Sequence, residues 1–340
     1  MKDLLWLAPS IAILALLLTW LLRRYALARS LIDIPNARSS HSVPTPRGGG
    51  VAIVISFLIA VLLLWASDEI TRPVMLALLG AGAATALLGF LDDHGHIAAR
   101  WRLLGHFGAA AWALFWLNGL PPIIVPGLTV DLGWLGHVLA AFYLVWMLNL
   151  YNFMDGIDGL ASAEAVCACM GACLIYWLAG YQDLVSLPLF LSMAVIGFLV
   201  WNFPPAKIFM GDAGSGFLGI LVAVLSLQAA WHSADFLWVW LILLGVFIVD
   251  ATFTLTRRLV RGDKVYEAHR SHAYQFASRQ FGKHLPVTLS VVVINVFWLL
   301  PIAICVALFG LNGLLGLVIA YLPLVLLAVK YKAGELEKVV

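Results

Sequence analysis

The densest group of polar residues in this apolar chain is the segment 149–161, which reads NLYNFMDGIDGLA. Asn149, Asn152 and Asp155 recur at every third position, so they would share one face if the segment is helical. The glycine after each aspartate would let a ligand approach the backbone closely. Carboxylate and amide oxygens suit Mg²⁺ when it is bound together with substrate phosphates. Because a purely structural role hardly explains so many polar groups, we interpret the segment, including Asp158, as part of a catalytic site.

A pair of adjacent carboxylates, Asp92 and Asp93, ends another apolar run. Two like charges this close disfavour each other unless a cation or a proton lies between them. A Mg²⁺ site or a general base would meet that requirement. The alternative is a helix end that has reached water, but the negative end of the helix dipole does not stabilise carboxylates there. The pair therefore favours a catalytic role.

Two further polar segments could contact a phosphate or a nucleotide. In the segment 33–50, Arg38, His41 and Arg47 could bind phosphate oxygens, although a basic loop that touches anionic lipid headgroups is an equal alternative. In the segment 203–215, an aspartate precedes an apolar run, where the amides at a helix N-terminus could hold an anion. The ring of Phe209, three residues before this aspartate, could stack on a base or be an ordinary interfacial aromatic residue. These residues, with a nearby cation, are Asp212, Phe209 and Lys207.

The last polar segment brings two imidazoles and a guanidinium together in His269, Arg270 and His272. Histidine can donate to phosphate oxygens or shuttle a proton, although a solvated basic loop would explain either histidine alone. Asp250 lies about two turns inside the preceding apolar run. An ionisable residue there is a functional candidate by default, although pairing with an arginine that follows would also explain it.

The chain that must position these residues has the composition of a membrane protein. Of its 340 residues, 63% are hydrophobic and 11% are charged, and the mean hydropathy is +0.99. The net charge of +2 gives no reason to propose nucleic-acid binding. Recurring apolar runs predict an all-α integral membrane protein, with one polytopic domain over residues 1–340 and about eleven transmembrane helices. The predicted spans are 4–22, 51–66, 74–91, 103–117, 135–153, 160–179, 184–202, 216–231, 236–256, 287–309 and 311–329.

The basic residues predict the orientation of the chain. All lysines and arginines except Lys2 and Arg72, eighteen of twenty, lie in segments that alternation of the spans places on one side. The positive-inside rule makes that side the cytoplasm, with the N-terminus in the periplasm and the C-terminus inside. The charge order around the first span predicts a retained anchor rather than a signal peptide. The predicted cytoplasmic active-site loops are 23–50, 92–102, 152–160, 203–215 and 257–286.

Taken together, these motifs resemble those of the polyprenyl-phosphate N-acetylhexosamine-1-phosphate transferases. This integral-membrane glycosyltransferase 4 group includes the cell-wall phospho-MurNAc-pentapeptide translocase. The motifs occur in the family's order and spacing over nearly the whole chain, and they look most like the branch that initiates bacterial O-antigen or related polysaccharides. The motifs that carry the resemblance are Asp92-Asp93, the segment 149–161, Phe209-Met210-Gly211-Asp212, Asp250-Ala251-Thr252 and the segment 269–275.

The resemblance implies a multi-pass enzyme of the bacterial inner membrane whose active site faces the cytoplasm. It implies transfer of an N-acetylhexosamine 1-phosphate from a UDP-sugar to undecaprenyl phosphate, with release of UMP. Mg²⁺ is the implied cofactor, with Mn²⁺ as an alternative, and a homodimer is compatible with the family. Which of GlcNAc, GalNAc, FucNAc and QuiNAc is accepted stays open, because these sugars differ by a hydroxyl or its orientation.

The resemblance also implies roles for individual residues. Asp212 matches a metal-binding aspartate with Asn152 as its partner ligand, and Phe209 matches the ring that stacks on uracil. Asp158 matches a uracil contact, and Asp92 matches a residue that deprotonates or orients the lipid phosphate. The other candidates are Asp93, Asp155 and His272 for catalysis and Arg38, His41, Arg47, Asn149, Lys207, His269 and Arg270 for substrate binding.

Two departures from the family pattern leave contacts open. The translocase branch has lysines in the segment that corresponds to 33–50, where this chain has arginines and a histidine. A related branch has Asp-Arg-x-His-x-His-His where residues 269–275 of this chain read HRSHAYQ. A secondary transporter and a CDP-alcohol phosphotransferase are the rival interpretations. Transporters place ionisable residues near the bilayer midplane, whereas here they cluster at one face. CDP-alcohol phosphotransferases have Ala-Arg two residues after Asp-Gly, where this chain has Ser162 and Ala163.

Overall fold

The computed structural model describes residues 4–35, 40–41, 43–95, 97–125, 128–263 and 269–336. Most of these residues are helical, because a backbone in lipid must satisfy its hydrogen bonds within its own segment. The helices are α1 (Leu4–Ala28), α2 (Gly50–Ala66), α3 (Arg72–His94), α4 (Ala99–Leu117), α5 (Gly133–Met154), α6 (Leu160–Ala179), α7 (Ser186–Asn202), α8 (Asp212–Ala230), α9 (Asp235–Leu243), α10 (Gly245–Arg261), α11 (Ala273–Phe281), α12 (Leu285–Ile294), α13 (Leu300–Leu308) and α14 (Gly313–Lys330).

Three kinds of short element complete the described chain. A single 3₁₀ turn precedes α7, and a π-helical segment over Asn295–Leu299 joins α12 to α13. Two antiparallel strand pairs are present. They are β1 (Ile32–Asp33) with β2 (Thr45–Pro46), and β3 (Ile123–Val125) with β4 (Leu128–Val130).

The helices confirm an all-α integral membrane protein. Among the described residues, eight helical segments are long and apolar enough to cross a membrane, and α9 and α10 together form a ninth that is bent by 73°. Every one of the eleven predicted spans overlaps a helix. However, α4 is not among these segments, and α2 is an apolar helix of only 17 residues. The count of eleven and the orientation of the termini therefore stay predictions.

Helix α8 lies in the interior, buried along nearly its whole length, and it packs against α3 and α5. Glycines allow these close contacts. A Cβ atom at Gly89 of α3 would lie 2.5 Å from the Ala213 amide nitrogen, and one at Gly219 of α8 would lie 2.5 Å from the Met147 carbonyl oxygen. Small residues let helix backbones approach closely in membrane proteins. The N-terminal half of α8 is thus packed closely against the C-terminal halves of α3 and α5.

Several predicted loops are shorter in the structure than in the sequence interpretation. Helices α3 and α5 continue to His94 and Met154, and α8 begins at Asp212. The predicted loops 92–102, 152–160 and 203–215 therefore contain helix ends, because their polar side chains find partners within the protein while the backbone stays helical. The predicted loops 23–50 and 257–286 likewise contain the end of α1 and all of α11.

Candidate active site

The polar motifs meet where α8 begins. Backbone hydrogen bonds join the segment 33–50 to the residues just before that helix. The Phe209 amide donates to the Pro46 carbonyl oxygen at 2.8 Å, and the Gly49 amide donates back to the Phe209 carbonyl oxygen at 2.9 Å. This pairing places Arg47 beside Asp212. The separate candidates of the sequence interpretation thereby become one site.

Arg47 joins two carboxylates at the first turn of α8. Its Nη2 lies 2.7 Å from Asp93 Oδ1 and 3.0 Å from Asp212 Oδ1. Asp93 also accepts hydrogen bonds from the amides of Asp212 at 3.2 Å and Ala213 at 3.4 Å, so it caps the helix. Burial alone would lower the pKa of Arg47, but Asp93 and Asp212 raise it above its ordinary value. The Asp93 side chain is 5% exposed and that of Asp212 27%, so Asp212 is the more accessible carboxylate.

Asp92 pairs with a second arginine rather than with Asp93. It accepts hydrogen bonds from the Arg102 guanidinium and from the Ile97 amide, the latter at 2.9 Å. Arg102 Nη1 also lies 3.9 Å from Asp212 Oδ2. The repulsion expected between the adjacent aspartates is therefore relieved by two arginines, and Asp212 lies between both cations.

The end of α5 contributes two amide side chains. Asn152 Nδ2 donates to Ser215 Oγ of α8 at 3.0 Å, which leaves the amide oxygen of Asn152 available as an acceptor for a ligand. Asn149 Nδ2 donates to the Val145 carbonyl oxygen at 2.7 Å, within its own helix. The predicted helical face is confirmed for these two residues, and Asp155 follows the last residue of the helix.

Asp158 is held by a histidine that the sequence interpretation did not single out. His284 Nδ1 lies 3.1 Å from Asp158 Oδ1, and the Ala206 amide donates to Asp158 Oδ2 at 3.0 Å. His284 Nε2 lies 2.9 Å from the Ser40 carbonyl oxygen, which can only accept, so Nε2 carries a hydrogen. Burial alone would raise the pKa of Asp158 and lower that of His284. Their mutual contact reverses both directions, with help from the Ala206 amide.

A polar cavity of about 230 Å³ lies among these groups. On its wall, the His41 ring meets the Phe209 ring edge-on, with centroids 4.8 Å apart. Residues from several segments line it, among them Asp33, Ser40, His41, Arg47, Asn152, Asp155, Asp158, Asn202, Phe209, Asp212, Ser215, Gln275 and His284. Its aromatic ring, arginine and carboxylates could receive a base and a diphosphate.

A second cavity of about 170 Å³ lies between α3, α4, α5 and α8 and shares Asp212 and Asn152 with the first. Its lining combines Asp92 and Arg102 with apolar side chains. The apolar lining residues include Leu88, Leu103, Leu148 and Phe153. An amphiphilic phosphate would match this combination.

The oxygen atoms of the first cavity suit a hard divalent cation. Asp212, Asp155 and Asn152 line it together. Burial raises the pKa of Asp155 well above its ordinary value and Asp212 adds to the increase, so a cation between the two carboxylates would relieve their repulsion. The described residues contain no cluster of three or more His, Cys, Asp or Glu side chains fit to hold a metal. The oxygen donors of Asp212, Asp155 and Asn152 nevertheless fit Mg²⁺, which commonly takes one or two carboxylates with substrate phosphates and water.

His272 lies behind the site rather than in it. It is buried at the N-terminus of α11, with Nδ1 3.3 Å from Asp250 Oδ1. Asp250 also accepts hydrogen bonds from the amides of Ala273 at 2.9 Å and Tyr274 at 3.0 Å. The Tyr274 hydroxyl donates to the Phe153 carbonyl oxygen at 2.9 Å. His272, predicted for catalysis, therefore lines neither cavity. Asp250 holds α11 instead of pairing with an arginine.

Three of the predicted substrate-binding residues also line neither cavity. His269 stacks on the His272 ring at 4.9 Å, and burial, the neighbouring histidine and Arg258 lower its pKa to about 3. The Arg270 carbonyl oxygen accepts a hydrogen bond from the Arg279 side chain at 3.2 Å. Lys207 Nζ lies 5.5 Å from the centroid of the Trp201 ring. Arg38 lies outside the described residues.

Several residues of the site were missed in the sequence interpretation. Asn202 illustrates them, because its Oδ1 accepts from the Gly159 amide and its Nδ2 donates to the Ile208 carbonyl oxygen, each at 3.0 Å. A polar residue that ends an apolar run just before two prolines was the available signal. The missed residues are Arg102, Asn202, Ser215, Gln275 and His284.

Comparison with known proteins agrees with the geometry. The model of glycosyl transferase family 4 matches residues 74–230. A probable undecaprenyl-phosphate N-acetylglucosaminyl 1-phosphate transferase of Bacillus subtilis is 33% identical over 263 residues, which cover 76% of this chain and 73% of that protein. The undecaprenyl-phosphate alpha-N-acetylglucosaminyl 1-phosphate transferase of Thermotoga maritima is 28% identical over 276 residues, 80% of this chain and 81% of its own.

A third relative comes from cell-wall synthesis. The phospho-N-acetylmuramoyl-pentapeptide-transferase of Bacillus subtilis is 32% identical over 221 residues, which cover 60% of this chain and 68% of that protein. The resemblance drawn from the motifs is therefore confirmed. The chain belongs to glycosyl transferase family 4.

Proposed function

We propose that the protein transfers an N-acetylhexosamine 1-phosphate from a UDP-sugar to undecaprenyl phosphate. An oxygen of the lipid phosphate forms a bond to the sugar-linked phosphorus, the bond from that phosphorus to UMP breaks, and UMP leaves. The lipid diphospho-sugar would begin an O-antigen or a related glycan. The observation that carries the proposal is the meeting of a polar cavity and a more apolar cavity at Asp212 and Asn152.

The polar cavity is the proposed donor site. Phe209 would stack on the uracil ring and Asp158 would accept from its N–H, while Arg47 would bind the diphosphate. Arg47 is suited to this role because it is already anchored to Asp93 and Asp212, so little side-chain freedom is lost on binding. The His284 contact would hold the Asp158 carboxylate charged and oriented.

The second cavity is the proposed acceptor site. Arg102 would bind the lipid phosphate, and Asp92 would hold Arg102 through their ion pair. A phosphate monoester has its second pKa near 6, so it already carries an unprotonated oxygen at neutral pH. A general base is then unnecessary, and we assign Asp92 to positioning the acceptor rather than to removing its proton.

Asp212 and Asn152 are the residues proposed to hold Mg²⁺, with Asp155 beside them. When bound, Mg²⁺ supplies neutralisation of the charge on the diphosphate. Phosphoryl transfer otherwise depends on alignment of the attacking and leaving oxygens, which the two adjoining cavities would provide. Mn²⁺ has similar ligand preferences and is the proposed substitute.

We place the site at the cytoplasmic face of a bacterial inner membrane, with eleven spans, a periplasmic N-terminus and a cytoplasmic C-terminus. The positive-inside distribution supports this orientation. The soluble nucleotide-sugar and the lipid phosphate can meet only at a membrane surface. A homodimer remains compatible with this arrangement.

The proposal is tested with purified protein, undecaprenyl phosphate, Mg²⁺ and a panel of UDP-N-acetylhexosamines, with release of UMP as the readout. We expect UMP release that depends on both the lipid phosphate and one or more of the sugars. Absence of UMP with every donor would contradict the proposal. Donor uptake into proteoliposomes without UMP formation would support the transporter interpretation instead.

The Asp92→Asn variant separates the two sites. Turnover should fall because Arg102 loses its ionic partner, while binding of the UDP-sugar should remain close to that of the wild type. Loss of UDP-sugar binding would instead move Asp92 to the donor site.

A further inference from the structure

His106 is a polar residue for which the reaction as described has no use. It lies in α4 one helical turn after Arg102, so the two side chains share a face. Both residues line the second cavity, together with Asp92 and Asn149. The cavity wall is tightly packed here, since a Cβ atom at Gly105 would lie 2.4 Å from a Leu88 methyl carbon. His106 is therefore confined beside the position proposed for the acceptor phosphate.

The imidazole of His106 has no hydrogen-bond partner among the described residues. Its Nδ1 is buried and unpaired. By contrast, His284 has a polar partner at each ring nitrogen, and His272 contacts Asp250. An unpaired buried polar atom is costly, and a site that leaves one is completed when a ligand supplies the partner.

The chemistry of the cavity limits what that partner can be. A neutral imidazole offers one N–H donor and one acceptor nitrogen. Arg102 beside it attracts an anion, and the apolar lining from Leu88, Leu103 and Leu148 suits an anion that carries a hydrocarbon group. A lipid phosphate monoester meets both conditions, since its oxygens accept hydrogen bonds and its first methylenes are apolar.

We propose that His106 binds the acceptor phosphate, donating one N–H to a phosphate oxygen beside the contact from Arg102. The inference rests on the proposed function, which it deepens by adding a substrate-binding residue. His106 would orient the phosphate without adding a second fixed positive charge next to Arg102. Its contribution should therefore depend on a hydrogen-bond donor at this position rather than on charge.

The test compares His106→Leu, which removes the donor at similar volume, with His106→Gln, which retains an N–H donor. The exposed His137 provides the matched control His137→Leu. UMP release is measured while undecaprenyl phosphate and UDP-sugar are varied separately. We expect His106→Leu to raise the KM for undecaprenyl phosphate by tenfold or more and to leave the KM for UDP-sugar within twofold. His106→Gln should recover at least half of the loss on a logarithmic scale.

Equal changes in both KM values, or an unchanged lipid KM in His106→Leu, would overturn the inference. The same would follow if His106→Gln were as impaired as His106→Leu while both variants kept the wild-type thermal transition. Direct binding of undecaprenyl phosphate in detergent micelles, measured by native mass spectrometry, separates this inference from the proposed function. Wild-type binding that His106→Leu loses, without UMP release from any donor, would sustain the phosphate site and contradict the proposed reaction.

Discussion

Two helices of this protein begin at a carboxylate from a neighbouring helix, and the two sites differ in what surrounds that carboxylate. Asp93 accepts from the first amides of α8, and Asp250 accepts from the first amides of α11. The start of α8 adds a second carboxylate, Asp212, which is 27% exposed between two arginines. The start of α11 instead adds His272, which is buried and carries no second carboxylate.

The comparison between the two sites indicates which aspartates are available to a ligand. A carboxylate whose oxygens are occupied by backbone amides holds a helix in place, and a substrate would have to displace those bonds. A carboxylate paired with arginines beside a cavity can exchange one partner for a metal or a phosphate. On this basis we expect Asp93, predicted for catalysis, to hold α8 as Asp250 holds α11, and we expect Asp212 to contact the substrate.

The largest expected effect is on turnover in Asp212→Asn. We expect kcat at ordinary Mg²⁺ concentration to fall by about 10³-fold, the order seen when one preorganised electrostatic group is removed from an active site. The thermal transition should stay within a few degrees of the wild type, because Asp93 still caps α8. UMP release and a thermal scan measure the two quantities. Near-normal turnover would remove Asp212 from the reaction.

The next largest effect is expected for Asp250→Asn, in which stability rather than turnover alone should be lost. The amide side chain keeps one acceptor oxygen, so at least one of the amides of α11 loses its partner, and we expect a loss of about 2 kcal/mol in the free energy of unfolding. Activity should fall with the stability because Tyr274 holds the end of α5. Unfolding followed by intrinsic fluorescence measures the change, and Asp183→Asn, at an exposed aspartate, is the control. If the variant were as stable as the wild type but as inactive as Asp212→Asn, Asp250 would have a role in the reaction rather than in holding α11.

The difference between the two sites was only partly visible in the sequence. The polar residues at 92–93, 149–158 and 209–212 predicted the α8 site because each ends or begins an apolar run. The pairing of Asp93 with amides 120 residues away could not be predicted, since it follows from the packing of α3 on α8 at Gly89. The contact of His272 with Asp250 could not be predicted either, because a histidine motif does not reveal which residues pack against it.

The residues that the sequence left unnoticed are those without a local pattern. His284 stands alone at the start of an apolar run, and its partners Asp158 and Ser40 lie more than 120 residues away in the chain. The helices themselves were predictable because hydrophobicity is a local property. The bend of 73° between α9 and α10 was not, because both halves read as one apolar run.

A smaller effect is expected for Arg47→Lys, which keeps the charge of the cation that bridges Asp93 and Asp212. A lysine ammonium cannot reproduce the planar fork of the guanidinium, so the anchoring of one carboxylate or the contact to the diphosphate is lost. We expect the KM for UDP-sugar to rise about tenfold, with little change in the KM for undecaprenyl phosphate. A matched Arg24→Lys change, in the last turns of α1, should change neither constant. A selective rise in the lipid KM would place Arg47 at the acceptor site.

The smallest expected effect is the pH dependence of the contact between His284 and Asp158. The folded-state pKa of His284 is raised, so its contribution to stability is fully present below about pH 6.5 and is lost as the pH rises through the raised value. The folded-state pKa of Asp158 is lowered, so its contribution is present above about pH 4 and is lost only as the pH falls through the lowered value. The stabilising charge pair therefore has a window between these limits.

His284→Gln tests this window, because glutamine keeps hydrogen bonding and removes the titration. We expect the Tm difference between wild type and His284→Gln to be about 2 °C or more near pH 5.5 and to shrink as the pH approaches 9. Thermal scans at matched ionic strength measure it, and exposed His137→Gln should show no such trend. A Tm difference that stays constant from pH 5.5 to 9 would mean that Asp158 is held by hydrogen bonds alone. It would then resemble Asp93 and Asp250, which accept from the first amides of α8 and α11, rather than the arginine-bound Asp212.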